Sequence, residues 1–186
     1  VYMAALKRNP SARLMVLIDK TTRTTQAIPN RELLSLVQGP LSKLHPISGS
    51  IEAKVLLNLG RKRDSLLAME KSWNAFEFAI KSGWIPSSDS GSWFYDLREM
   101  FNENPEAGEQ MIYRLAGSTL SEHQLVGLAT YWGAFGDKYV DRAVRIIENA
   151  IEKSVPGSNI HVQQLILLGG YLVNAGRFEE SEKIYR

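Results

Sequence analysis

The chain of 186 residues carries 44% apolar side chains, 23% charged ones and a net charge of +2, enough apolar material to bury a core without covalent staples. It has no cysteine, which excludes a disulfide framework and thiolate metal sites while leaving the compartment open. Apolar runs such as 14–18 and 165–168 fall far short of the roughly 20 residues that a membrane-spanning helix needs.

Charge is distributed unevenly. Residues 1–63 hold eleven Lys or Arg against Asp19, Glu32 and Glu52, a net +8, whereas residues 64–186 hold eleven against seventeen acids, a net −6. A basic first third suits nucleic acid or an acidic protein surface, or a solvated face beside an acidic segment of the same array.

Residues 1–49 are irregular. The stretches 3–6, 14–18 and 33–37 each supply part of a helix face, interrupted by Pro10, the threonines from Thr21 to Thr25, Pro29, Pro40 and Pro46; this predicts a helical cap or degenerate repeats. From about Ser50 the helical period takes over. Ile51, Val55, Leu56 and Leu59 share one face, and after Gly60 and the basic Arg61, Lys62 and Arg63 a second face follows through Leu66, Leu67, Met69, Trp73, Phe76 and Ile80. That is a helical hairpin ending near Gly83 and Pro86. Residues 86–92, with one Pro, one Gly and four Ser, read as a loop. Trp93, Phe94, Leu97 and Phe101 then predict a short amphipathic helix.

Asn104 before Pro105 predicts an N-cap and a first-turn proline, with Glu106 and Glu109 near the positive end of the helix dipole, for a helix running to about Ala116. Ser121 and Gln124 form a capping box, and Leu120 with Leu125 fits a hydrophobic staple. Gly136 and Asp137 end that helix. The next carries Val140, Ala143, Ile147, Ala150 and Ile151 to a stop at Pro156 and Gly157. Ser158 opens the last hairpin, Gly176 turns it, and Phe178 and Tyr185 lie on its second helix. Beginning at Val1 and stopping at Arg186 inside that helix, the sequence reads as a piece of a longer protein.

Residues 124–136 are echoed forty residues later by 164–176: Leu125, Leu128, Ala129, Tyr131 and Gly136 align with Leu165, Leu168, Gly169, Tyr171 and Gly176, and Trp132 with Leu172. A period of this length points to stacked helical hairpins. In the last hairpin Leu165, Leu168, Gly169, Leu172, Gly176, Phe178, Ser181 and Tyr185 follow the order and spacing by which it resembles the tetratricopeptide repeat. The preceding hairpin resembles it through Leu125, Leu128, Ala129, Trp132, Gly136, Ala143, Ile147, Ala150 and Pro156, with about two extra residues around Asp137 and Lys138. Residues 50–83 are similar through Leu56, Gly60, Ser65 and Met69. The resemblance implies an all-α, right-handed superhelical array of antiparallel helical hairpins, an α-solenoid, over 50–186, with 1–49 as an irregular cap or degenerate repeats and the loop at 86–92 within it. It implies a non-catalytic scaffold for a partner protein or neighbouring subunit.

The concave face that such an array presents would carry His123, Val126, Gly127, Thr130, Gly133 and Ala134 in one hairpin and Gln163, Ile166, Leu167, Gly170, Val173 and Asn174 in the next. The positions from which that family grips a terminal carboxylate correspond to Val126, Thr130, Ile166 and Gly170, which lack the chemistry. A small, apolar floor admits an amphipathic partner helix, or another segment of the same protein.

The alternative is an RNA-associated helical repeat. Lys7, Arg8 and Arg13, with Lys20, Arg23 and the neighbouring threonine hydroxyls, could contact phosphates, as could Arg61, Lys62 and Arg63. Residues 27–30 and 83–86 are faintly similar to the joint of pentatricopeptide repeats, although their spacing of 57 residues gives no regular step. His45, His123 and His161 are widely spaced and outside any HExxH arrangement, so no metal is expected. No phosphate-binding loop, dinucleotide fingerprint or nucleophile elbow occurs, and neither a cofactor nor a small-molecule substrate is expected.

Overall fold

The computed structural model describes residues 30–39, 48–81, 91–117 and 119–186. Among these the protein is all-helical, with nine α-helices, one 3-10 turn and no strand. The chain divides into two compact units, Val1–Trp84 and Ile85–Arg186.

In the first unit α1 (Asn30–Gln38), α2 (Ser48–Asn58) and α3 (Lys62–Lys81) pack in sequence order. Leu33 and Val37 of α1, Ile51, Ala53, Val55 and Leu56 of α2, and Met69, Trp73 and Phe76 of α3 form its buried core. Leu67, grouped with that face by the sequence, is 44% exposed, because the i, i+3, i+4 stripe reaches solvent at its edge. The predicted segments 3–6 and 14–18 lie outside the described residues.

The second unit contains α4 (Gly91–Met100), α5 (Pro105–Ala116), α6 (Glu122–Gly133), the 3-10 turn Asp137–Tyr139, α7 (Val140–Lys153), α8 (Asn159–Asn174) and α9 (Phe178–Tyr185). The loop expected over 86–92 gives way two residues early, at Gly91, where α4 begins. The local stop and start signals act as read. Asn104 Oδ1 accepts from Ala107 N at 3.3 Å. Ser121 and Gln124 close a reciprocal capping box at 3.4 and 2.7 Å, and Ser158 Oγ accepts from His161 N at 3.2 Å. The extra residues around Asp137 and Lys138 form the 3-10 turn.

Two hairpins share one corner. In α2–α3, Gly60 (φ 75°) turns the chain, Arg61 N donates to Leu56 O at 2.9 Å, and Arg61 Nε reaches Asp64 at 2.8 Å. In α8–α9, Gly176 (φ 72°), Arg177 N to Leu172 O at 2.8 Å, and Arg177 Nε to Glu180 at 2.7 Å repeat it. This positive φ favours glycine because a Cβ would crowd the following carbonyl. Four residues beyond each arginine, a buried serine donates to a carbonyl of the preceding helix, Ser65 to Ala53 O at 2.6 Å and Ser181 to Gly169 O at 3.0 Å. Ser65→Ala and Ser181→Ala should each cost about 1 kcal/mol in urea denaturation, and an unchanged midpoint for both would mean that the hydroxyls do not hold the helices together.

Candidate functional site: the outward row of α8

No residue of α8 is Asp, Glu, Lys or Arg. Its inward side buries Gln164, Leu168, Gly169 and Leu172, and α9 closes over it through Ser181 and through Tyr185 Oη, which donates to Ile166 O at 3.2 Å. On its outward side Val162 is 47% exposed, Ile166 55% and Val173 44%, and a Cβ added at Gly170 would meet nothing within 4 Å. These positions are separated by four, four and three residues, which places them in one row about three turns long. Gln163 is partly exposed and Asn174 is exposed beside it.

The start of α8 is fixed by a histidine. Ser154 Oγ donates to Ile151 O at 2.9 Å and lies 2.8 Å from His161 Nδ1. A hydroxyl has one proton to give, so with that proton on Ile151 O the imidazole carries its own on Nδ1 and donates to Ser154. His161 therefore joins the end of α7 to the first turn of α8.

One hairpin earlier, the corresponding row on α6 is covered by its neighbours. Val126 is 7% exposed, and the position where Gly127 would carry a Cβ is occupied by the Phe94 ring of α4. At Gly133 the same position lies 2.5 Å from the Tyr171 ring of α8. Thr130 Oγ1 donates to Val126 O at 2.9 Å and stands beside the Tyr171 phenol. His123 and Ala134 are partly exposed. The structure thus leaves open the α8 half of the sequence-derived face, Ile166, Gly170, Val173 and Asn174, and fills much of the α6 half from within the unit.

Burial pushes the Tyr171 phenol up to about 12, against the lowering effect of the Thr130 hydroxyl, and burial with the nearby Glu109 carboxylate raises Tyr131 further. The unfolded chain loses these protons near pH 10, before the folded protein does. Stability should therefore be level up to about pH 10 and fall as the pH rises from there toward 12. Urea midpoints at pH 9 and pH 11 check this, and Tyr171→Phe should shrink the difference; equal midpoints in the wild type would contradict it.

Of the residues read as phosphate contacts, Lys7, Arg8 and Arg13 lie outside the described residues. Arg61 is paired to Asp64 at 2.6 Å, while Lys62 and Arg63 are exposed on the first turn of α3. There they face the positive end of the helix dipole, an unfavourable place for cations.

The sequence reading missed a group of cations stacked on rings. Arg142 lies 3.9 Å from the Trp132 ring centre, Arg98 5.4 Å from Phe135 and Lys138 4.9 Å from Tyr139. Glu109 accepts from Trp132 Nε1 at 3.3 Å and is ion-paired to Arg142. These residues come from α4, α5, α6, α7 and the turn between the last two, so no periodicity within one element announces them.

Among the described residues no three His, Asp or Glu side chains are grouped to hold a metal ion, and no helix is long and apolar enough to cross a membrane. No family model, no curated protein and no solved structure matches this chain.

Proposed function

We propose that this protein is a non-catalytic interaction scaffold, a superhelical array of divergent tetratricopeptide-like hairpins that holds an amphipathic helix of a partner protein on the outward row of α8. The observation that carries the reading is the exposure of Val162, Ile166 and Val173 around the open Gly170 on a helix without a charged residue. Apolar side chains at helical spacing with a glycine between them allow close approach of another helix, the manner in which grooves take amphipathic helices. The shared corner of α2–α3 and α8–α9 supports the repeat reading, because the same Gly, Arg, acid and Ser perform the same contacts in two hairpins.

The test is affinity capture from the native cell at moderate and high salt, with nuclease added. A protein partner that persists in nuclease and in salt, and is lost with Ile166→Asp, is the expected outcome. Gly170→Leu separates binding from folding. It faces open space, so it should leave the thermal midpoint unchanged or raise it, since leucine is the better helix former by roughly 0.8 kcal/mol, while it obstructs the partner. Retention of the same partner by both variants would refute the α8 row as its site, and loss of all bound material to nuclease would favour the RNA-associated alternative.

A further inference from the structure

The α8 row leaves the charge of its occupant open, and an aromatic corner answers that question. Tyr131, Trp132, Phe135 and Tyr139 form one aromatic group, with Tyr131–Phe135, Trp132–Tyr139 and Phe135–Tyr139 centroids 5.1, 5.0 and 5.7 Å apart. Arg98, Lys138 and Arg142 each lie over one of these rings. Arg142 has an anion, Glu109. The other two do not: among the described residues no carboxylate is ion-paired to Arg98 or Lys138, although Glu99 and Asp137 adjoin them in sequence. Moreover, Arg98 Nε is sealed from solvent without an acceptor.

A guanidinium N–H withdrawn from water and left without an acceptor bears its desolvation cost in full. The ring face offsets part of that cost, since aromatic quadrupoles attract cations. An anion at the half-buried end of Arg98 would offset more, and Lys138 on the adjoining ring would add a second charge. Charge-assisted pairs of guanidinium with carboxylate are among the stronger hydrogen bonds available to a protein surface.

The corner is joined to α8 through Tyr171. Tyr95, one turn before Arg98 on α4, is near enough to Tyr171 of α8 to influence its ionisation. The Tyr171 ring in turn lies on Gly133, two residues before Phe135. A docked helix that extends from Ile166, Gly170 and Val173 past the Tyr171 side of α8 would meet these cations.

We propose that Arg98 and Lys138 form a seat for side-chain carboxylates of the docked partner, which is therefore an acidic amphipathic helix. This rests on the reading of α8 as the docking row. The seat lies at the turn after α6 and uses none of the positions Val126, Thr130, Ile166 and Gly170. Phosphates would satisfy the same cations, but the uncharged apolar row of α8 favours a polypeptide.

The experiment uses three fluorescent probes with the full chain: a helix-forming peptide about four turns long with leucines along one face and glutamates on the other, its twin with glutamine for every glutamate, and an oligouridylate of equal charge. The glutamate peptide should bind at least about tenfold more tightly than its twin, the scale of a charge-assisted hydrogen bond. The double variant Arg98→Gln with Lys138→Gln should remove that difference and leave the twin's affinity in place, whereas Ile166→Asp should weaken both peptides. Arg98→Lys, which keeps the charge, should retain a preference for glutamate, and circular dichroism of each variant establishes that the fold is kept.

If the two peptides bind equally, or the preference survives the double variant, the carboxylate seat is wrong; the α8 reading then stands if Ile166→Asp still weakens both. If Ile166→Asp changes neither, the docking row itself falls. Oligouridylate binding that depends on Arg98 and Lys138, with no response from either peptide, overturns the proposal in favour of nucleic acid, and failure of all three probes to bind overturns both readings.

Discussion

Trp132→Ala should lower stability by about 4 kcal/mol, the scale of removing a large aromatic side chain from a packed interior. Trp132 is 0% exposed. Its ring meets Phe135 and Tyr139 at 5.8 and 5.0 Å between centroids, and its Nε1 donates to Glu109. Alanine leaves a cavity, withdraws a donor from a carboxylate whose side chain is only 15% exposed, and removes the surface under Arg142. Natural domains carry about 5–15 kcal/mol in all, so the variant should approach its unfolding threshold at room temperature. Urea denaturation followed by circular dichroism measures the loss. Trp132→Phe, which keeps a ring but not the N–H, should lose less than half as much. A midpoint for Trp132→Ala within error of the wild type would remove Trp132 from the core.

The second large effect is expected at Gly127. A Cβ there falls within the Phe94 ring, and Phe94 is itself 1% exposed and set edge-on against Trp93 at 5.2 Å. Neither ring has free space into which to turn. Gly127→Leu should therefore displace α4 from α6 at a cost of about 3 kcal/mol, despite the gain of roughly 0.8 kcal/mol in helix propensity. The contrast with Gly170→Leu gives the measurement its force. Both place leucine for glycine in the interior of a helix, and only the neighbouring side chains distinguish them. Thermal midpoints that moved in the same direction by the same amount would mean that the close α4–α6 approach does not govern stability.

That difference marks what one sequence can disclose. Asn104 with Pro105, Ser121 with Gln124, and Ser158 were legible as helix starts, because each side chain binds a backbone group three residues away. Gly60, Gly136 and Gly176 were legible as turns for a similarly local reason. Trp132 was legible as a repeat position, and it is buried. The uncovered row on α8 was also legible as a candidate face, since Ile166, Gly170 and Val173 recur at helical spacing.

The covering of its counterpart on α6 was not. Phe94 reaches Gly127 from 33 residues away, and Tyr171 reaches Gly133 from 38, distances over which no spacing rule applies. The correspondence between α2–α3 and α8–α9 was only partly visible, through Leu56, Gly60, Ser65 and Met69. Its full form needs the hydrogen bonds of Arg61 and Ser65 set beside those of Arg177 and Ser181. Arg98 gave no signal at all, because its ring partner belongs to another helix's terminal turn.

The serine pins have a kinetic consequence. Each joins residues only twelve positions apart, and α2 with α3, α6 with α7, α7 with α8 and α8 with α9 all pack as neighbours in chain order. Closing such short loops takes little conformational entropy before the contacts that reward it form. Folding should therefore begin at more than one hairpin and spread outward, at the speed of chains with low contact order. A hairpin such as α8–α9 would assemble its Arg177 corner early and leave the outward row of α8 exposed throughout, ready for a partner before the rest of the chain has finished folding.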